Sequence, residues 1–142
     1  MELQVVFQLL LATFLGALIG LEREIKQKQA GLQTYSLVSL GSCLFTLVAL
    51  HFFQSFGGSE IDVVRVIQAI AIGVGFIGAG TIFKSQKGVE GLTTAAGLWG
   101  VAAIGVSVGA GLYFLAIFAT FLAVGILAGL GKLEEKIFSK NK

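Results

Sequence analysis

The 142-residue chain is 56 % hydrophobic and 13 % charged, about half the charged share of a soluble domain, with 20 Gly and no Pro. That composition excludes a soluble fold of useful size and points to one domain of closely packed membrane helices. The net charge of +2 is confined to short hydrophilic segments, which argues against nucleic-acid binding, and a single Cys excludes an internal disulfide.

The first apolar run, residues 3–21, carries no charge. At about 1.5 Å per residue it is long enough to cross roughly 30 Å of hydrocarbon as a helix. Met1-Glu2-Leu3-Gln4 lacks the basic n-region of a signal peptide, so the span is expected to be retained. Gly16 and Gly20, with Ala12 before them, make a GxxxG ridge that lets a neighbouring backbone approach closely. The run ends in Glu22-Arg23-Glu24, followed by Lys26 and Lys28. One reading is an interfacial anchor, with Arg23 and Lys26 snorkelling to headgroups and the acids balancing them. The sharper reading is that anionic headgroups repel carboxylates, so Glu22 faces protein and pairs with Arg23, with Lys84 or with a backbone amide.

The second span covers residues 34–53, with Cys43 as a small apolar filler and His51 near its outer end. Asp62 and Arg65, spaced i, i+3 before span three, read as a helix cap with a surface ion pair or as an outer ion pair that locks spans together or lines an entrance. Span three, residues 66–83, contains Gln68, expected to bond across helices, and GVGFIGAG with Gly73, Gly75, Gly78 and Gly80. Either neighbours pack tightly on those glycines or the backbone opens towards a cavity. Residues 91–131 carry no charge and are too long for one crossing, so the chain must reverse, at Gly109-Ala110-Gly111. That yields span four, residues 92–108, and span five, residues 112–130. Thr93 and Thr94 read either as caps of span four or as a polar lining shared with Glu22 and Glu24, and Trp99 as a packing residue. GxxxG spacings recur at Gly105–Gly109 and Gly125–Gly129. The tail, residues 132–142, sets Leu133, Ile137 and Phe138 against Lys132, Lys136 and Lys140 as a short interfacial helix.

The expected architecture is thus an all-α, five-span, Gly-rich bundle. Nine of the ten basic residues fall on one side of it and only Arg65 on the other, which by the positive-inside rule sets the N-terminus outside and the C-terminus in the cytoplasm.

The segments GALIGLERE (16–24), AGLQTYSLVSLGS (30–42), Asp62, Arg65 and Gln68 leading into GVGFIGAGTI (73–82), and VEGLTTAAGLW (89–99) followed by AAIGVSVGAGLY (102–113) resemble, in order and spacing, the MgtC/SapB family of bacterial inner-membrane proteins. The resemblance implies a five-span protein of the bacterial cytoplasmic membrane tied to magnesium homeostasis or low-magnesium adaptation, acting on other membrane proteins rather than carrying the ion itself. Longer members carry a cytoplasmic C-terminal domain, so this sequence resembles a short form. It also departs from the family pattern, with Gln33 where Arg is usual, Val63 where Pro is usual, and Thr93 and Gly100 at the polar and Cys-bearing positions of span four.

One His, one Cys and no paired carboxylates within the membrane leave no nucleophile with a base and no local metal cluster. No enzymatic activity and no cofactor are therefore expected, while a metal is left open. Two classes stand: a homo-oligomeric regulator, of dimer size, that meets another membrane-protein complex within the lipid bilayer, and a small oligomeric cation channel or carrier. A transport path requires Glu22, Thr93 and Gln68 to face one continuous wet cavity; a regulator requires a dry bundle.

Overall fold

The computed structural model describes residues 2–56, 60–86 and 88–130, without the side chains of residues 60–62. Helices α1 (Glu2–Ile25), α2 (Leu32–Phe56), α3 (Glu60–Ala79), α4 (Leu92–Gly109) and α5 (Tyr113–Gly125) follow one another, and α5 runs on into a π-helical turn over Ile126–Leu130. A short antiparallel hairpin, β1 (Phe83–Ser85) with β2 (Gly88–Glu90), joins α3 to α4. The chain is an all-α membrane protein: Glu2–Ile25, Leu32–Phe56, Leu92–Gly109 and Tyr113–Leu130 are each long and apolar enough to cross a bilayer.

The apolar part of α3 is shorter, Val63–Ala79, yet this helix traverses the bundle as well. Arg23 at the end of α1 and Tyr35 near the start of α2 both hydrogen-bond to Thr94 in the first turn of α4, so those three helix ends share one end of the bundle. Since α2 carries the chain to the opposite end, α3 has to bring it back. Lys26 meets Leu127 at that same end, and Gln8 meets Val108 at the other. Arg23, Lys26, Lys28 and Lys84 accordingly gather at one end.

α2 is the spine, packed most extensively against α1 and α4. Glycine makes this possible from both sides. A Cβ on Gly16 would sit 2.7 Å from the Tyr35 carbonyl oxygen, and one on Gly109 would sit 2.8 Å from that of Cys43. The residues of α2 caught between are small or hydroxylated, Ser39, Ser42, Cys43 and Thr46, all buried, with Tyr35 at the charged end. Leu15, Ile19, Leu98, Val101 and Val108 complete the core. α3 and α5 lie outside this three-helix unit and expose Phe76, Phe114 and Phe121, as the lipid-facing surface of a membrane protein does.

Several expectations are corrected. Span three was expected to reach Phe83, but α3 stops at Ala79, where Gly80 and Thr81 turn the chain and the Thr81 hydroxyl donates to the Gly78 carbonyl. Phe83 instead begins the hairpin, which strand periodicity over three residues is too short to announce. Trp99, expected to pack, is exposed on the outer side of α4. Gly125 and Gly129 meet nothing within 4 Å, so the last GxxxG packs against no described neighbour; Gly73 and Gly75 likewise meet nothing, and of the two readings of α3 it is the opening that fits, since Gly73 lines an apolar cavity of about 860 Å³ between α2 and α3 with Gly41, Phe45 and Val74. The reversal at Gly109-Ala110-Gly111 is as expected: Gly111 takes φ 78°, the Gly111 amide bonds to the Val108 carbonyl and the Leu112 amide to that of Ser107, a Schellman closure. The interfacial helix expected in the tail and the Asp62 side chain lie outside the described residues.

Candidate functional site

α1 runs on past Leu21, the last residue of its uncharged run, to Ile25. Its last turn contains Glu22, Arg23 and Glu24, and closes through a left-handed Gln27 with φ 52° and a Lys28 amide bonded to the Arg23 carbonyl. Arg23, on the inner face of that turn, is 3 % exposed. Its Nη2 donates to the Thr94 hydroxyl oxygen at 3.3 Å, and its Nη1 lies 3.6 Å from Glu22 Oε2. The Tyr35 hydroxyl donates to the Thr94 carbonyl at 3.3 Å, so a residue of α4 is gripped from α1 through its side chain and from α2 through its backbone. Removing either partner of such a buried charged contact costs far more than a surface pair would.

Glu22 is nearly closed from solvent, with its side chain 11 % exposed. The Lys26 ammonium, one turn on, lies 2.7 Å from Oε1 and donates to the Leu127 carbonyl oxygen at 2.6 Å. The cluster therefore joins α1, α2, α4 and the π-helical end of α5. π-Helical turns are rare and are frequent at functional sites. Both Glu22 oxygens are shut from solvent and met only by the ion pairs to Lys26 and Arg23, and Arg23 Nε is shut from solvent without a hydrogen bond to a described residue.

Glu24 does not join this cluster. It turns to the other side, and its Oε2 accepts from the Leu32 amide at 3.0 Å, placing a carboxylate at the N-terminus of α2, where the helix dipole favours it. Thr93 is exposed, while Thr94 is buried. Thr94 is not the cap of α4 either: that position is Gly91, in the left-handed region at φ 91°, where a Cβ would strike the Thr81 carbonyl. Lys84 stands exposed on β1. Gln68 is exposed on α3 and makes no hydrogen bond among the described residues, contrary to the cross-helix bond expected of it. Arg65 is likewise exposed. Gly16 and Gly20 form the close α1–α2 contact, Gly78 rests on Ala95, and Gly80 lies beside the Ile77 carbonyl of its own helix.

Two residues escape a reading of the sequence, and a third, Lys26, read there as a headgroup anchor, pairs with Glu22 instead. Lys26 stands i+4 from Glu22, a spacing that signals an ion pair. Tyr35 carries no such signal. Nor does Gln8, which is 4 % exposed and donates to the Val108 and Gly109 carbonyls at the opposite end. Among the described residues no three His, Cys, Asp or Glu side chains converge as a metal cluster.

The profile of the MgtC family matches residues 9–136. The chain belongs to the MgtC family. It is 43 % identical to the protein MgtC of Brucella abortus over 87 % of this chain and 50 % of that one, and 41 % identical to SapB of Bacillus subtilis over 93 % and 62 %. It is also 36 % identical to YhiD of Escherichia coli, whose name marks it as a candidate magnesium transporter, over 99 % of this chain and 67 % of that one. The chain thus spans half to two thirds of these MgtC-family relatives. No solved structure matches it significantly.

Proposed function

We propose that this MgtC-family protein lies in a bacterial cytoplasmic membrane with the Arg23, Lys26, Lys28 and Lys84 end in the cytoplasm, and takes part in magnesium homeostasis or low-magnesium adaptation by acting on another membrane protein. The side assignment follows from the gathering of those cations at one end. The link to magnesium follows from the family and from the name carried by YhiD. The role is non-catalytic, exerted through the cytoplasmic end.

The observation that carries the regulatory reading over a transport path is the placement of Glu22, Thr93 and Gln68. A single wet path would need all three on one cavity; instead Glu22 is enclosed in the junction of α1 with α4 and α5, whereas Thr93 and Gln68 lie on the exposed surface. The space between α1, α2 and α4 is filled by side chains or closed by glycine contacts.

Two measurements test this. In a host deleted for its own copy, the wild-type chain should support growth at low magnesium, and Glu22→Gln should lose that support at an unchanged protein level. In liposomes the purified chain should pass neither magnesium nor potassium above empty vesicles. Flux that Glu22→Gln abolishes would overturn the regulatory reading and make the protein a channel or carrier.

A further inference from the structure

The cavity of about 860 Å³ between α2 and α3 falls within the range of about 300–1,000 Å³ that ligand sites occupy. It has a floor and two rims. Ser42 and Val74 are buried at its bottom, and Leu37, Phe45 and Ile77 stand exposed along its edges, so it is a groove open on the lipid-facing side. The lining runs from Gln33 to Phe45 on α2, twelve steps of about 1.5 Å or roughly 18 Å, and from Val66 to Ile77 on α3, eleven steps or roughly 16 Å. That is about the depth of one leaflet, half of roughly 30 Å of hydrocarbon, whereas a helix of a second copy or of another protein crosses both. Polarity is graded along the groove as well. Gln33 and Thr34 line its charged end, and further in Ser42 is the one polar side chain among the described lining residues. At that end Lys28 and Lys84 make no ion pair among the described residues, while Glu22 is enclosed with Arg23 and Lys26, and Glu24 is bound to the Leu32 amide. Glu90 on β2 is the remaining described carboxylate there, so the open charge is positive in balance.

We propose that the α2–α3 groove seats an acyl chain of an anionic phospholipid from the leaflet at the charged end, with the headgroup among Gln33, Thr34, Lys28 and Lys84. A flexible chain of methylenes matches a one-leaflet apolar groove, and an anionic headgroup meets amide, hydroxyl and ammonium donors at the depth where the polar layer of that leaflet lies. A void between helices forfeits dispersion contacts on every lining atom, and a seated chain restores them. The assignment is independent of the magnesium reading.

The test is photo-crosslinking of the purified full chain in vesicles containing phosphatidylglycerol that carries a diazirine on one acyl chain, with the adducts located by peptide mass spectrometry. Adducts should concentrate on residues 37–45 and 66–77 over the exposed faces around Phe114 and Phe121. Gly73→Leu, whose side chain enters the groove, should cut them about fivefold, while Gly75→Leu, at a glycine equally free of neighbours but outside the lining, should leave them unchanged. Should Gly73→Leu fail to fold, Gly41→Leu fills the groove from the α2 side, where a Cβ also meets nothing within 4 Å. The same probe on phosphatidylcholine should label the groove about tenfold less, and Lys28→Gln combined with Lys84→Gln should remove that preference. Labelling spread evenly over the exposed helices, groove adducts that survive Gly73→Leu or fall equally with Gly75→Leu, equal labelling by phosphatidylcholine, or a preference that survives the lysine substitutions overturns the assignment. So does a dimer in native mass spectrometry that Gly73→Leu dissociates, which gives the groove to a second copy.

Discussion

Gly20→Ala puts the close α1–α2 contact under direct test. The added methyl would stand 2.8 Å from the Leu32 Cα, 2.9 Å from the Gly31 carbonyl oxygen and 3.0 Å from the Tyr35 Cβ. None of these is the far end of a flexible side chain. Ordinary contact begins at 3.4 Å, so the two backbones must part by about 0.6 Å, the difference from 2.8 Å. Overpacking of this kind costs about 1–3 kcal/mol. Alanine's better helix propensity returns about 0.5–1 kcal/mol. The net expectation is a loss of up to about 2.5 kcal/mol, centred on about 1 kcal/mol. Gly125→Ala is the internal control, because that position meets nothing within 4 Å and keeps only the propensity gain. Reversible unfolding of the purified chain by sodium dodecyl sulfate in mixed micelles, followed by far-ultraviolet circular dichroism, reads both. The two variants should shift the midpoint in opposite directions; a common shift in one direction refutes the packing argument.

The polar contacts make further predictions. Thr94→Val leaves Arg23 Nη2 without its acceptor where water does not reach, and should cost about 1.5–3 kcal/mol in the same unfolding assay, whereas Thr94→Ser should recover most of it; equal losses would show that the hydroxyl is not what matters. Glu24→Ala removes the carboxylate from the α2 N-terminus and should cost about 0.5–2 kcal/mol, with faster amide exchange at Leu32 and growth at low magnesium unchanged. Gln8→Leu should cost about 1 kcal/mol and loosen the α4–α5 turn, read as faster exchange at Gly111 and Leu112.

The helices were legible because uncharged runs of membrane length stand out in any sequence, and the α4–α5 reversal because 41 uncharged residues, 91–131, cannot cross once. Which face each helix presents was not. Small-xxx-small spacings occur on α1, α3, α4 and α5 alike, yet only those of α1 and α4 touch α2, and the choice is made by side chains on α2 that carry no pattern of their own. At the charged end, carboxylates placed where lipid disfavours them pointed towards protein, and Glu22 does lie enclosed there. Glu24, two residues on, serves the start of α2 instead, since positions i and i+2 on a helix point about 200° apart and so face nearly opposite sides. Lys84 is far along the chain from Glu22, and Lys26 is local; the local cation holds the carboxylate.

The glycine contacts on both flanks of α2 also have a mechanical meaning. With carbonyls of Tyr35 and Cys43 pressed against α1 and α4, a slide or rotation of any one of these helices collides with backbone rather than with a side chain that can swing away. The three therefore act as a stiff wedge, and displacement within the membrane is left to the struts on its outside, α3 and α5. Each strut returns to the wedge at the charged end, α3 through the hairpin leading to Gly91 and α5 through Lys26. A partner that grips α3 or α5 within the bilayer would thus pull on the charged end without having to deform the core.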